Sequence, residues 1–143
     1  MNRKDLQALS ELRLKEANAL LSAGFPEGAY YLAGYAVECA LKACIAKRTQ
    51  EHDFPDKKLA DKTYTHDLER LIDAAELSDS FKKDKTSNRR LEMEWEYVRR
   101  WSEQSRYELL EGSEEDRRKA AFLMIFSIES VGGGVLPWIR QFW

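Results

Sequence analysis

The sequence has few of the residues from which metal and nucleophilic sites are built. It contains two histidines and two cysteines in 143 residues. His52 and His66 are each followed by aspartate, as in some metal hydrolases, but there is no third histidine to complete such a site. Cys39 and Cys44 lie on different faces of a predicted helix, so they can neither form a disulfide nor converge on one ion. We therefore predict no metal and no cofactor.

Long apolar runs and phosphate-binding loops are also missing. No segment approaches the roughly 20 apolar residues of a membrane helix, and the charged N-terminal segment has no apolar leader core. The run 132–134 is all glycine, but it follows a predicted helix and no Lys-Ser/Thr comes after it. The net charge of −2 supplies no general field for nucleic acid. Together with free thiols, these absences predict a cytoplasmic protein.

The three prolines and seven glycines fall mostly at the ends of segments with helical apolar spacing. The fold class expected is all-α, an up-and-down bundle of four to five helices forming a single domain over residues 1–143. Polar stretches at 48–64, interpreted as a loop, and at 78–88 separate the helices. The helices themselves are predicted at about 2–23, 26–47, 65–77, 88–105 and from 114 onward, with 132–134 as an interruption near the end.

Local patterns place several elements more closely. The second helix is rich in alanine, which allows close packing and predicts a central position. In the fourth helix, Leu91, Trp95, Val98 and Trp101 share one face. Thr65 is the expected cap of the third helix, and Ser113 with Asp116 is typical of a capping box.

Glu38 stands out because it lies within the alanine-rich helix. Lys42, at i+4, would give an intrahelical pair that contributes only tenths of a kcal/mol. If Glu38 faces the core, a stronger partner is needed, because a buried unpaired carboxylate is very costly. We predict that Arg106, at the end of the fourth helix, pairs with Glu38 through its planar fork.

A basic cluster precedes and opens the fourth helix. Positive charge near a helix N-terminus is mildly unfavourable. A solvated loop and a surface for phosphate backbones are both consistent with the pattern. The cluster consists of Lys82, Lys83, Lys85, Arg89 and Arg90.

Three segments together resemble the HEPN domain family in content, order and spacing. They are AYYLAGYAVECALKA at 29–43, Thr65-His66-Asp67-Leu68, and Ser105-Arg106-Tyr107. The Ala-Val-Glu-x-Ala-Leu-Lys-Ala core of the first segment is the most specific part, and the resemblance extends from Leu6 to about Phe126. It implies a helical bundle that is commonly a homodimer. It also implies an origin in toxin–antitoxin or defence systems, often beside a nucleotidyltransferase partner.

Many members of that family are metal-independent ribonucleases with an Arg, four to six residues and a His. This sequence departs from the motif. The positions that should hold the arginine before His52 are Ile45, Ala46 and Lys47, and Arg48 has only three residues before His52. The corresponding positions before His66 are 59–61, which hold no arginine, and no histidine follows Arg106.

We therefore predict a non-catalytic HEPN-like module that binds RNA, a nucleotide or a protein partner. A metal-independent ribonuclease with an atypical site and a scaffold for a nucleotidyltransferase are the alternatives. Glu38, His66, Arg106 and Tyr107 match positions of the family pattern, and we interpret them, together with Lys42, as a polar structural or ligand-binding set.

Large apolar side chains on the fourth and fifth helices predict a homodimer with an apolar helical interface. The side chains that motivate this expectation are Trp95, Trp101, Phe122 and Phe126.

Overall fold

The computed structural model of the protein describes residues 1–51 and 57–143. Every regular element in those ranges is helical, so the predicted all-α bundle is confirmed. His52 lies outside the described residues. The elements are α1 (Arg3–Ala23), α2 (Pro26–Glu51), α3 (Lys57–Thr63), α4 (Leu68–Ala74), α5 (Ser78–Ser87), α6 (Arg89–Val98), a 3₁₀ segment (Glu103–Tyr107), α7 (Glu114–Glu129) and α8 (Val135–Arg140).

Helix α1 begins and ends with local hydrogen bonds that its sequence supplies. The Asn2 side chain accepts from the Asp5 backbone N–H at 3.0 Å, and Asp5 accepts from the Asn2 N–H at 2.9 Å. Gly24 then closes the helix in the left-handed region, with φ 89°, where a side chain would be strained. The boundaries predicted for this helix are confirmed to within one residue.

Helix α2 lies at the centre of the bundle, as its small residues predicted. It packs against α1 and against α7. Five alanines of this helix have no exposed surface: Ala29, Ala33, Ala36, Ala40 and Ala43. The close approach that they permit also lets the buried hydroxyl of Ser10 donate to the Ala36 carbonyl at 2.7 Å.

The apolar face predicted for α6 is confirmed, because Leu91, Trp95, Val98 and Trp101 are all buried. Trp95 and Trp101 are only 2% and 3% exposed, so they belong to the core of this chain. Their proposed contribution to an interface between subunits is wrong. Helix α6 also ends at Val98 instead of near residue 105, and Arg106 lies in the 3₁₀ segment that follows.

Two polar stretches interpreted as connections contain helices. In the first, α2 continues to Glu51 and α3 spans Lys57–Thr63. In the second, α5 is anchored by Phe81, which is 3% exposed. The Phe81 ring lies 5.0 Å from Trp95 and 4.4 Å from Trp138, centroid to centroid. A single aromatic side chain thus docks a helix whose other residues are polar, and packing rather than helix propensity stabilises it.

The start of α4 differs from the prediction. Its cap is Asp67, whose carboxylate accepts from the backbone N–H groups of Glu69 and Arg70 at 3.0 and 3.2 Å. The Thr65 hydroxyl accepts from the Asp67 N–H at 3.1 Å and so shapes the turn before the helix. His66 therefore precedes α4 and is not part of its first turn.

The capping box at the start of α7 is confirmed. Asp116 accepts from the Ser113 backbone N–H at 3.0 Å, and the Asp116 N–H donates to the Ser113 hydroxyl at 3.2 Å. The hydrogen bond that the Asp116 carboxylate accepts from the Ser113 backbone N–H is the main cause of a lowered pKa of Asp116. The expected interruption by glycines follows α7, and α8 then returns to the core through buried residues such as Trp138. In the described residues, no helix is both long and apolar enough to cross a membrane.

Candidate ligand-binding site

The site begins at Glu38, which α2 holds in the interior at 1% exposure. The Lys42 ammonium, one turn further along the same helix, donates to Glu38 Oε1 at 2.7 Å. The Lys42 side chain is 25% exposed, so its tip reaches the surface while Glu38 does not. The intrahelical pair considered from the sequence is therefore present, and it connects a buried charge to the outside.

His66 provides the second partner of Glu38. The turn at Thr65 and Asp67 places the imidazole against α2, with Nδ1 2.9 Å from Glu38 Oε1 and 3.1 Å from Oε2. The other ring nitrogen, Nε2, lies 3.1 Å from Glu103 Oε2. A carboxylate only accepts, so both contacts are hydrogen bonds when both ring nitrogens carry a proton. His66 thus joins two carboxylates from different parts of the chain.

Glu103 links His66 to Arg106. Its carboxylate, in the 3₁₀ segment, accepts from Arg106 Nη2 at 3.2 Å. The Arg106 guanidinium lies 4.8 Å from the centre of the Tyr107 ring. The Tyr107 side chain points into solvent, at 74% exposure. A guanidinium has five N–H donors, and this carboxylate occupies one edge of the fork, so donors remain for a ligand.

The direct pair predicted between Glu38 and Arg106 is wrong. In the described part of the chain, Glu38 contacts Lys42 and His66, and Arg106 contacts Glu103. The physical reason is the short length of α6, which leaves Arg106 on a surface segment instead of a helix end directed at the core. His66, whose side chain is 44% exposed, makes the contact with buried Glu38 that had been assigned to the arginine.

All five predicted ligand-binding residues nevertheless lie along one chain of contacts, in the order Lys42, Glu38, His66, Glu103, Arg106, with Tyr107 beside the last. Positive and potentially positive groups alternate with carboxylates. Glu103 is the member that sequence reasoning missed. Its only sequence indication is the spacing Glu-x-x-Arg, which brings Glu103 and Arg106 onto one helical face.

The Lys42 end of the contact chain opens at a surface cavity of about 520 Å³. Arg3 of α1 and the exposed ring of Tyr64 also line it, together with Thr49 and Thr63. The rest of the lining is mainly apolar, from Met1, Leu6, Ile45 and Ala46, so the Lys42 end opens onto a mixed surface, while Arg106 and Tyr107 form the other end.

The cysteines are unsuited to nucleophilic chemistry. Both thiols are free and buried. Burial raises the pKa of Cys39 to about 11, with a further contribution from the neighbouring charge of Glu38. Burial likewise raises the pKa of Cys44 to about 12. Thiols with such pKa values stay protonated at neutral pH and are poor nucleophiles.

The basic cluster at 82–90 does not form one continuous free surface. Lys85 lies over the Phe81 ring at 4.6 Å. Arg90 bonds to Glu94 and to the Val131 carbonyl, both at 3.1 Å. Lys82, Lys83 and Arg89 remain exposed. In the described residues, no group of three or more His, Cys, Asp or Glu side chains is arranged to hold a metal ion.

The structure is thus a helical bundle in which buried Glu38 contacts the surface histidine His66. A family model for the HEPN domain matches residues 5–125. The chain therefore belongs to the HEPN domain family. No curated protein and no solved structure gives a significant match to the chain.

Proposed function

We propose that the protein is a non-catalytic HEPN module of the cytoplasm that binds single-stranded RNA through Arg106 and Tyr107. The observation that carries the proposal is the exposed tyrosine ring with an arginine 4.8 Å from its centre. An aromatic ring provides a stacking surface for a base, and a guanidinium provides paired donors for a phosphate. The ion pair with Glu103 restrains the arginine, which lowers the entropy lost on binding.

Two observations support binding without cleavage. No histidine follows Arg106 at the spacing of the family's nuclease motif. Both ring nitrogens of His66 lie within 3.1 Å of carboxylates. An imidazole held on both sides has no free nitrogen with which to accept a proton from a ribose hydroxyl.

The test is binding of a fluorescently labelled single-stranded RNA of about ten nucleotides, a length that spans such a surface. Loss of one base–aromatic stack is worth about 1–3 kcal/mol, so Tyr107→Ala should weaken binding about tenfold, whereas Tyr107→Phe should not. Arg106→Ala should weaken binding to a similar extent. Phe25→Ala and Arg70→Ala, at two other exposed positions, serve as matched controls.

Three results would refute this assignment. One is RNA binding that is unchanged in both the Arg106 and the Tyr107 variants. Another is equal loss in the control variants, which would indicate nonspecific binding. The third is binding of a mononucleotide as tightly as the RNA, which would make a nucleotide the ligand.

A metal-independent ribonuclease is the second candidate, because folding brings a histidine and an arginine onto the same carboxylate, Glu103. The two residues lie together in space although they lack the family's spacing. Incubation with total cellular RNA in the presence of a chelator tests this alternative. Cleavage that is lost in both His66→Ala and Arg106→Ala would establish it and overturn the non-catalytic proposal.

Three further proposals follow from family membership and not from this site. They are homodimerisation, a place in a toxin–antitoxin or defence system, and binding of a nucleotidyltransferase. The genes that neighbour the coding sequence test the second and third proposals.

A further inference from the structure

An apolar groove with a volume of about 670 Å³ runs between α6 and α7, away from the contact chain around Glu38. Its apolar lining comes from Met93, Leu123 and Phe126, which are 64%, 45% and 43% exposed. Phe122, at 60% exposure, stacks on Phe126 with ring centres 6.2 Å apart and extends the surface. Single exposed apolar residues are ordinary, but a contiguous group of four marks an interaction surface.

The charges around the groove are unbalanced. Glu94 is matched, because it accepts from Arg90 at 3.1 Å and from the Ser130 hydroxyl at 2.9 Å. Glu96 is matched by Arg99 at 3.0 Å. The groove is also lined by Arg89 and Arg100. Across the described residues, neither of these two arginines has a carboxylate within 4.0 Å.

The two arginines mark the ends of the apolar surface. Arg89 is the first residue of α6, and Arg100 lies just beyond its last residue, Val98. Met93 lies between them on the same side of the helix. At 1.5 Å rise per residue, the arginines are separated by about 16 Å along the axis, or about three helical turns.

We propose that this groove binds an amphipathic helical segment of a partner protein, apolar along the face that enters the groove and acidic at both ends of that face. A helix of about four turns would bury the apolar lining and bring carboxylates to Arg89 and Arg100. This function is separate from RNA binding at Arg106 and Tyr107.

Two other occupants fit the groove less well. A two-fold contact whose axis passes midway between Arg89 and Arg100 would set Arg89 of each copy against Arg100 of the other, which is unfavourable. Single-stranded RNA binds by stacking on aromatic faces. Of the aromatic rings in the groove, Tyr97 is half-buried, with its hydroxyl donating to the Ala120 carbonyl at 2.9 Å. The Phe126 ring already carries the Arg90 guanidinium at 5.5 Å.

The experiment is selection from a displayed library of helical peptides about four turns long against the full chain. Enriched peptides should carry apolar residues at i, i+3 or i+4, and i+7, with Asp or Glu about three turns apart. One enriched peptide, labelled with a fluorophore, then serves as the probe for affinity measurements.

Two substitutions in the groove and two control substitutions elsewhere test whether the labelled peptide binds in the groove. Phe126→Ser and Arg89→Glu should each weaken binding of the labelled peptide by about tenfold or more. Phe25→Ser changes an exposed phenylalanine elsewhere, and Lys4→Glu changes a cation in the first turn of α1. Both controls should bind within about twofold of the unchanged protein. Far-UV circular dichroism checks that every variant is folded.

Several outcomes would overturn the proposal. If the enriched peptides are not rich in Asp or Glu, Arg89 and Arg100 do not contribute to recognition of the peptide. Affinity unchanged in Phe126→Ser and Arg89→Glu would place the peptide elsewhere. If sedimentation finds a dimer that Phe126→Ser dissociates, a second copy occupies the groove. If no peptide is enriched and RNA binding depends on Arg89, the groove binds RNA. Loss of RNA binding in Arg106→Ala would not bear on any of these results.

Discussion

Glu38 is a buried carboxylate whose charge is compensated by two neighbours on different elements. Lys42 approaches along α2 at 2.7 Å, and His66 approaches from the turn before α4 at 2.9 Å. Removing one partner of a buried charged group leaves part of its desolvation cost uncompensated. The contacts of Glu38, at the buried end of the contact chain, should therefore contribute more to the free energy of unfolding than those at the exposed end.

We expect His66→Ala and Lys42→Met each to lower the free energy of unfolding by about 1–3 kcal/mol, because each weakens the compensation of Glu38. Arg106→Ala should cost only about 0–1 kcal/mol, since its pair with Glu103 is at the surface. Urea denaturation measures all three variants. An Arg106→Ala loss as large as that of His66→Ala would contradict this ordering.

The sequence could identify most members of the site but not their partners. The sequence indicated Glu38, Lys42, His66, Arg106 and Tyr107, and the fold brings all of them to one chain of contacts. Which side chain reaches which carboxylate depends on where α6 ends, and that end is set by tertiary packing. Glu103 could not be identified as a site residue from the sequence, because a glutamate on a polar surface segment has no distinguishing neighbours.

The two buried thiols predict how the stability of the fold depends on pH above neutrality. The pKa of each is raised in the fold, to about 11 for Cys39 and about 12 for Cys44, from an ordinary value of 9.0. Above about pH 9 the unfolded chain loses these protons while the fold retains them, so stability falls as pH rises toward 11. Below about pH 9 the two thiols cause no pH dependence of stability, because the folded and the unfolded chain both keep these protons.

The expected result is a steeper loss of melting temperature between about pH 9 and pH 11 in the natural sequence than in Cys39→Ala/Cys44→Ala. The difference in slope is the readout, because lysines and tyrosines titrate in both proteins. Alkylation at neutral pH should also be slow until the protein is unfolded. Equal slopes, or rapid alkylation of the folded protein, would contradict the burial of the thiols.

At the scale of elements, helices with strong local determinants were predictable. Capping residues at Asn2 and Ser113 fixed two starts, and Gly24 fixed an end. Helix α5 was not predictable, because only Phe81 among its residues is buried. Its stability depends on rings contributed by α6 and α8, which are distant in sequence, and local patterns carry no information about them.

Gly34 determines how closely α2 approaches the segment after α6. A Cβ atom at this position would lie 2.3 Å from the Trp101 ring. The Trp101 ring is buried and stacks on Tyr31 with ring centres 6.1 Å apart, so it has little room to move. Gly34 is therefore the point where two elements of the core meet without an intervening side chain.

We expect Gly34→Ala to lower the free energy of unfolding by about 1–3 kcal/mol, because overpacking displaces Trp101. Gly28→Ala is the matched control on the same helix. Its Cβ would meet only the end of the Leu20 side chain, at 3.1 Å. Alanine has a better helix propensity than glycine, which offsets the cost of a small shift of the Leu20 side chain. The free energy of unfolding should therefore change by less than about 1 kcal/mol. Tryptophan fluorescence should shift in the first variant alone, and a Gly34→Ala variant of unchanged stability would refute the close approach.

At the scale of the whole molecule, one apolar cluster connects all the major helices. Two surfaces remain outside it with features of binding sites. One is the exposed pair Arg106 and Tyr107, and the other is the groove between α6 and α7. Since these surfaces involve different residues, ligands at the two sites should be separable by mutation.

The oligomeric state of the protein bears on which of these surfaces is free to bind a partner. We expect a homodimer at tens of micromolar, as family membership suggests, with twice the monomer mass of 16.7 kDa by light scattering. Its interface should lie outside the groove, because a two-fold contact there would oppose the unpaired Arg89 and Arg100 of both copies. Phe126→Ser combined with Arg89→Glu should therefore leave the dimer intact while abolishing peptide binding. A monomer at these concentrations would contradict the dimer. A dimer that the double variant dissociates would instead show that the copies meet through the groove.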